Sequence, residues 1–156
     1  MASISLKRLA AAFAVAALVS FPAAAMDTPA NTDTSTTDTK PGVPSLADAR
    51  ADIAAKHWAD AIDKLKLIVA DSPTDADAFN LLGYSYRNAG NYDLAGRAYV
   101  KALKLNPKHT GALEYQGVLF VKLGQLDKAK ANLATIKGIC GTTCEEYEDL
   151  EKAIGG

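Results

Sequence analysis

Pro73 and Pro107 stand 34 residues apart, each inside a similar phrase, VADSPTDADAF and LKLNPKHTGAL. A fixed period of this length constrains the fold more than any other feature of the chain, because a repeated sequence unit implies a structural unit stacked on its copies. Aligned on the two prolines, Trp58 falls on Tyr92 and Leu126, Ala61 on Ala95 and Ala129, Leu65 on Tyr99 and Leu133, and Ile68 on Ala102 and Ile136. Upstream, Leu82, Gly83 and Tyr86 fall on Gln116, Gly117 and Phe120. Phe79, Leu82, Gly83 and Tyr86 share one face at helical spacing, and so do Ala95, Ala98, Tyr99 and Ala102. Each unit therefore reads as two amphipathic helices. Gly83 and Ala95 are small where the pair has to approach closely. Asn88, Ala89 and Gly90 stop the first helix, and a proline, which cannot continue the helix before it, parts one pair from the next.

Phe79, Leu82, Gly83, Tyr86, Tyr92, Ala95, Tyr99, Ala102 and Pro107 together resemble the tetratricopeptide repeat (TPR). The third unit departs from that pattern twice, with Gln116 where a leucine is usual and Gly141 where a closing proline is usual. The first unit keeps its second helix (Trp58, Ala61, Leu65, Ile68, Pro73), while its first helix, about 45–56, lacks the signature. The resemblance covers about residues 46–141. It implies an all-α solenoid of about 2.5 repeats, with units at about 46–75, 76–109 and 110–141, a concave groove and a polar terminal cap. Residues 143–154 suit the cap. Tyr147, Leu150 and Ile154 form an apolar stripe among five acidic residues, and Thr143 with Glu146 offers a capping box.

The ends of the chain carry other information. Lys7 and Arg8 precede an uncharged apolar run from Leu9 to Phe21, and Ala23, Ala24 and Ala25 supply small residues for a peptidase. These features read as a secretory signal peptide cleaved after Ala25, which places the mature chain in the periplasm with no membrane span. Residues 26–45 are rich in Thr and Asp and broken by Pro29, Pro41 and Pro44, so they read as a disordered leader. The chain holds 17 Lys and Arg against 18 Asp and Glu; without Lys7 and Arg8 the balance is 15 against 18. That mixture lacks the basic stripe nucleic-acid binding requires.

Cys140 and Cys144 are the only cysteines. Two readings compete, with idle free thiols as a third. In an oxidising compartment the pair closes a disulfide that clips the terminal helix where the proline turn is missing. Alternatively, a thiolate pair binds copper(I) or exchanges disulfides, with Cys144 activated in the first turn of a helix and His109 as the nearest third ligand in sequence. No catalytic constellation is evident. His57 lies at a helix junction, and the glycines match turn and packing positions. Neither an enzymatic activity nor a cofactor is expected.

In TPR proteins the first helix of each unit lines the groove. Carried over by position, the resemblance points to Asn80, Tyr84, Arg87 and Asn88 in the second unit and to Glu114, Val118, Val121 and Lys122 in the third. Amides suited to a peptide backbone, a stacking ring, two cations and an apolar floor imply a protein or peptide partner held by a non-enzymatic adaptor.

Overall fold

The computed structural model describes residues 42–155. The signal-peptide features and most of the leader lie outside these residues. Seven helices follow one another: α1 (Leu46–Ala54), α2 (Trp58–Asp71), α3 (Ala76–Asn88), α4 (Tyr92–Leu105), α5 (Thr110–Lys122), α6 (Leu126–Cys140) and α7 (Glu145–Gly155). No strand occurs among the described residues. The fold is the all-α repeat solenoid that the periodicity implies.

The same turn recurs inside each helix pair. The N–H of His57, Asn91 and Gln125 donates to the carbonyl of Asp52, Tyr86 and Phe120 respectively, each at 2.8 Å. This six-residue bond closes a helix through one residue in the left-handed region. Gly90 (φ 82°) and Gly124 (φ 71°) take that conformation freely, but the corresponding residue of the first unit is Lys56, at φ 59°. A side chain there is strained by about 1 kcal/mol. Between pairs a second device recurs. Asp75 caps α3 by accepting from the Ala78 N–H at 2.9 Å, and His109 caps α5 through Nδ1 from the Ala112 N–H at 3.2 Å.

The core runs along the stack. Ala49, Ala61, Leu65, Ile68, Ala78, Leu81, Leu82 and Ala98 form one buried cluster. Ala49 occupies the register of Gly83 and Gly117, so the first helix keeps the small contact residue of the repeat although it lacks the larger signature residues. Val43 packs on this cluster and Ser45 caps α1 through a reciprocal box with Asp48. The end of the segment assigned to the leader therefore belongs to the folded unit: one apolar side chain and a helix cap suffice to hold it.

At the other end α7 continues the register. Tyr147, Leu150 and Ile154 lie 34 residues beyond Leu113, Gln116 and Phe120. Leu150 is fully buried with Leu113 and Ile136, and Val118, Leu133, Tyr147 and Ile154 pack around them. The helix is thus the first half of a fourth unit. Its expected capping box does not form: α7 begins at Glu145, and the Cys144 carbonyl accepts from the N–H groups of Tyr147 and Glu148. Glu146 instead accepts from the Thr110 hydroxyl at 2.7 Å, which ties α7 to the start of α5.

Candidate functional site: a cleft across the first helices

The first helix of every unit contributes to one cleft of about 280 Å³. Arg50 comes from α1, Asp77, Asn80 and Leu81 from α3, Glu114 and Tyr115 from α5, and Glu145, Glu146 and Asp149 from α7. This common origin follows from the repeat: corresponding helix faces stack side by side when the units do.

Two polar lining side chains are buried. Asn80 is 7% exposed and its Oδ1 accepts no hydrogen bond. Glu114 is 8% exposed. Burial pushes the Glu114 carboxyl up to about 8, Asp149 adds to the shift, Arg87 opposes it, and Glu146 and Glu145 add less. A buried carboxyl in this setting is a protonated acid near neutral pH unless a cation approaches.

Beside the cleft lies an aromatic run. The Trp58 and Tyr84 rings meet edge-on at 6.1 Å, and the Tyr84 and Tyr115 rings lie 4.8 Å apart. The Arg87 guanidinium sits 5.3 Å from the Tyr84 ring centre and 5.7 Å from that of Tyr115. Such cation–π placement orients the guanidinium while leaving donors free, and Nε of Arg87 has no hydrogen-bond partner. Burial raises the Tyr115 hydroxyl above its ordinary range, with Glu114 the next contributor.

The residues carried over by resemblance separate into three groups. Asn80 and Glu114 line the cleft, and Tyr84 and Arg87 adjoin it through Tyr115. Asn88 spends its amide on the Tyr84 carbonyl of its own helix at 2.8 Å. Val118 packs in the core beneath α7, so it is not a groove floor; Val121 is half-buried away from the cleft lining; the Lys122 ammonium stands 5.9 Å over the Tyr92 ring. The acidic contributions of α7 were not foreseen. Their signal was the continuation of the 34-residue register past Cys144, which places Glu145 and Asp149 in line with Asp77 and Leu81.

The cysteine pair joins α6 to α7. Its Cα atoms are 6.0 Å apart and the two sulfurs lie at bonding distance. The nearby group that converges with them contains Glu146, not His109. His109 is occupied elsewhere: it caps α5, and its Nε2 lies 2.9 Å from Asp77 Oδ1. Bonded sulfurs offer no thiolate, so metal binding or exchange here requires prior reduction.

The tetratricopeptide repeat profile matches residues 76–109, the α3–α4 pair. The α3–α4 pair is a tetratricopeptide repeat. A TPR repeat-containing protein of Methanocaldococcus jannaschii is 34% identical over 73 residues, which is 45% of this chain and 13% of that protein. Among solved structures, the type III secretion chaperone SycD of Yersinia enterocolitica, in complex with a peptide of the translocator YopD, has a TM-score of 0.61 at 18% identity; the match covers 70% of this chain and 82% of that one. MamA (41-end) from Desulfovibrio magneticus has a TM-score of 0.58 at 22% identity over 60% of this chain and 53% of that one. These structural likenesses are likenesses of the TPR fold.

Proposed function

We propose that this protein is a non-enzymatic adaptor that holds a peptide segment of a partner protein in the cleft across α1, α3, α5 and α7. The observation that carries the reading is the pair of buried polar side chains facing one cleft, Glu114 and Asn80, the latter with an amide oxygen that has no partner. An unsatisfied buried polar group costs roughly 1–3 kcal/mol, and a bound backbone or side chain recovers that cost. The aromatic run of Trp58, Tyr84 and Tyr115 adds stacking surface beside it. A peptide-bound solenoid of the same fold, SycD, supports the mode of binding. The N-terminal pattern from Lys7 to Ala25 supports export to the periplasm, where Cys140 and Cys144 act as a structural clip on α7.

Capture from an envelope extract tests this reading. A partner retained by the wild-type chain and lost with Tyr84→Ala combined with Arg87→Ala supports it. A partner retained by that double variant overturns the cleft as the binding site. The intact mass of exported protein, without reductant, tests the compartment: removal of residues 1–25 together with loss of two hydrogens is expected.

A further inference from the structure

The charge around the cleft is unbalanced. Asp77, Glu114, Glu145, Glu146 and Asp149 contribute five carboxyl groups, while Arg50 is the one lysine or arginine in the lining. Asp77 is partly answered by His109. Arg87 is held beside the cleft by the Tyr84 and Tyr115 rings. The carboxyls of α7 add to the cost of ionising Glu114, and Arg87 offsets that only in part. Glu114 is nine-tenths buried, and Asn80, equally buried, has an amide oxygen with no donor. A protein gains no stability from this arrangement, since an apolar residue at position 114 avoids the desolvation cost altogether.

The missing component is a donor-rich cation. A compact divalent metal fits poorly. Among the described residues, the acidic groups that converge to within 4.8 Å involve Asp52, His57 and Asp60 or Cys140, Cys144 and Glu146; no three cleft carboxylates meet at a point. Dispersed acceptors suit a spread group with several N–H donors. A guanidinium or ammonium on a long side chain reaches Glu114 and Asn80 while its stem lies along Leu81 and Tyr115.

We infer that the cleft between α3, α5 and α7 is a pocket for a cationic side chain, arginine or lysine, of an extended peptide. The pocket rests on the groove reading above and defines its partner: a basic residue in an otherwise uncharged segment. A cation next to Glu114 also stabilises the ionised carboxylate there, so the pocket becomes charged as it is filled.

The test uses the full chain and three fluorescein-labelled nonapeptides of alternating valine and serine that differ at one central position. That position is arginine, its neutral isostere citrulline, or glutamate. Fluorescence anisotropy at low salt is expected to give at least tenfold tighter binding for arginine than for citrulline, with glutamate weakest. The arginine advantage shrinks several-fold between 50 and 300 mM salt. Glu114→Gln, which keeps shape and removes the charge, brings arginine and citrulline within threefold of each other; Asp149→Asn narrows the gap less. Equal binding of arginine and citrulline peptides to the wild-type chain overturns the cationic pocket while leaving the groove reading intact. Absence of binding by all three peptides overturns both.

Discussion

The second and third repeats share a register but solve the same packing problem differently. In the second, the Tyr99 ring of α4 lies against Gly83 of α3, and a Cβ at Gly83 would stand 2.6 Å from two ring carbons. Burial raises the Tyr99 phenol, and the neighbouring Arg87 charge offsets part of that shift. Leu82 and Ala98 complete an apolar seam. In the third, Gln116 stands in the place of Leu82, and Asn132 satisfies it by donating to its Oε1 at 3.1 Å and to the Leu113 carbonyl at 2.9 Å. The space over Gly117 is filled by Leu150 of α7, with a hypothetical Cβ 2.6 Å from both of its δ carbons, although Leu133 of α6 has the corresponding register. The second repeat closes within itself; the third requires the next helix. The terminal helix is therefore a component of the third repeat as well as its cap.

The largest test of this contrast is a methyl group at each glycine. Gly83→Ala is expected to destabilise by about 3 kcal/mol in urea denaturation, because the fully buried Tyr99 ring cannot retreat. Gly117→Ala should cost about 1 kcal/mol, because Leu150 rides on a terminal helix that can shift. Equal costs would mean that α7 is held as rigidly as α4. A double-mutant cycle between Gly117→Ala and Leu150→Ala should show strong coupling.

The next largest effect concerns Glu114, whose carboxyl is held up near 8 in the fold against 4.5 in the open chain. The folded state binds the extra proton across that window, so stability falls as pH rises from about 4.5 to 8. Glu114→Gln is expected to flatten this slope and to raise stability above pH 8 by roughly 2–4 kcal/mol. Asp149, Glu146, Glu145 and Arg87 surround the group, so the decline should extend to higher pH when Arg87 is replaced by a neutral residue. A variant whose stability has the same pH slope as the wild type would exclude Glu114 as its source.

Replacing both Cys140 and Cys144 by serine should remove about 2 kcal/mol, the loop-closure estimate for so short a link. The loss should be local. Hydrogen exchange should accelerate in α7 and along α5 near Gly117 while α3 and α4 retain their protection. Uniform acceleration would dissolve the distinction between the repeats. The smallest effect is at the opposite end: Lys56→Gly places a glycine where Gly90 and Gly124 stand in the later units, and is expected to raise stability by about 0.5–1 kcal/mol.

Candidate-site residues were legible in proportion to how local their determinants are. Asn80 and Glu114 were readable because helix register alone sets the face they occupy. Val118 was placed on the groove by the same register, yet it packs against the cluster that Leu113 forms with Ile136 and with Leu150 of α7, and nothing within its own repeat announces that. His109 stood near the cysteines in sequence, but its Nδ1 caps α5 and its Nε2 faces Asp77, because helix starts claim the nearest acceptor.

The sequence by itself determined the period of the helix pairs, the turns at Gly90 and Gly124, and the close approach at Gly83. Each depends on backbone conformation or side-chain size within one 34-residue unit, where spacing translates directly into geometry. Only the tertiary structure decided that Leu150 takes the place over Gly117, that Lys56 adopts a glycine conformation, and that the carboxyls of α7 meet Glu114. Those outcomes depend on which unit stacks on which and on what burial does to charge, and a residue's own neighbours in sequence do not record either.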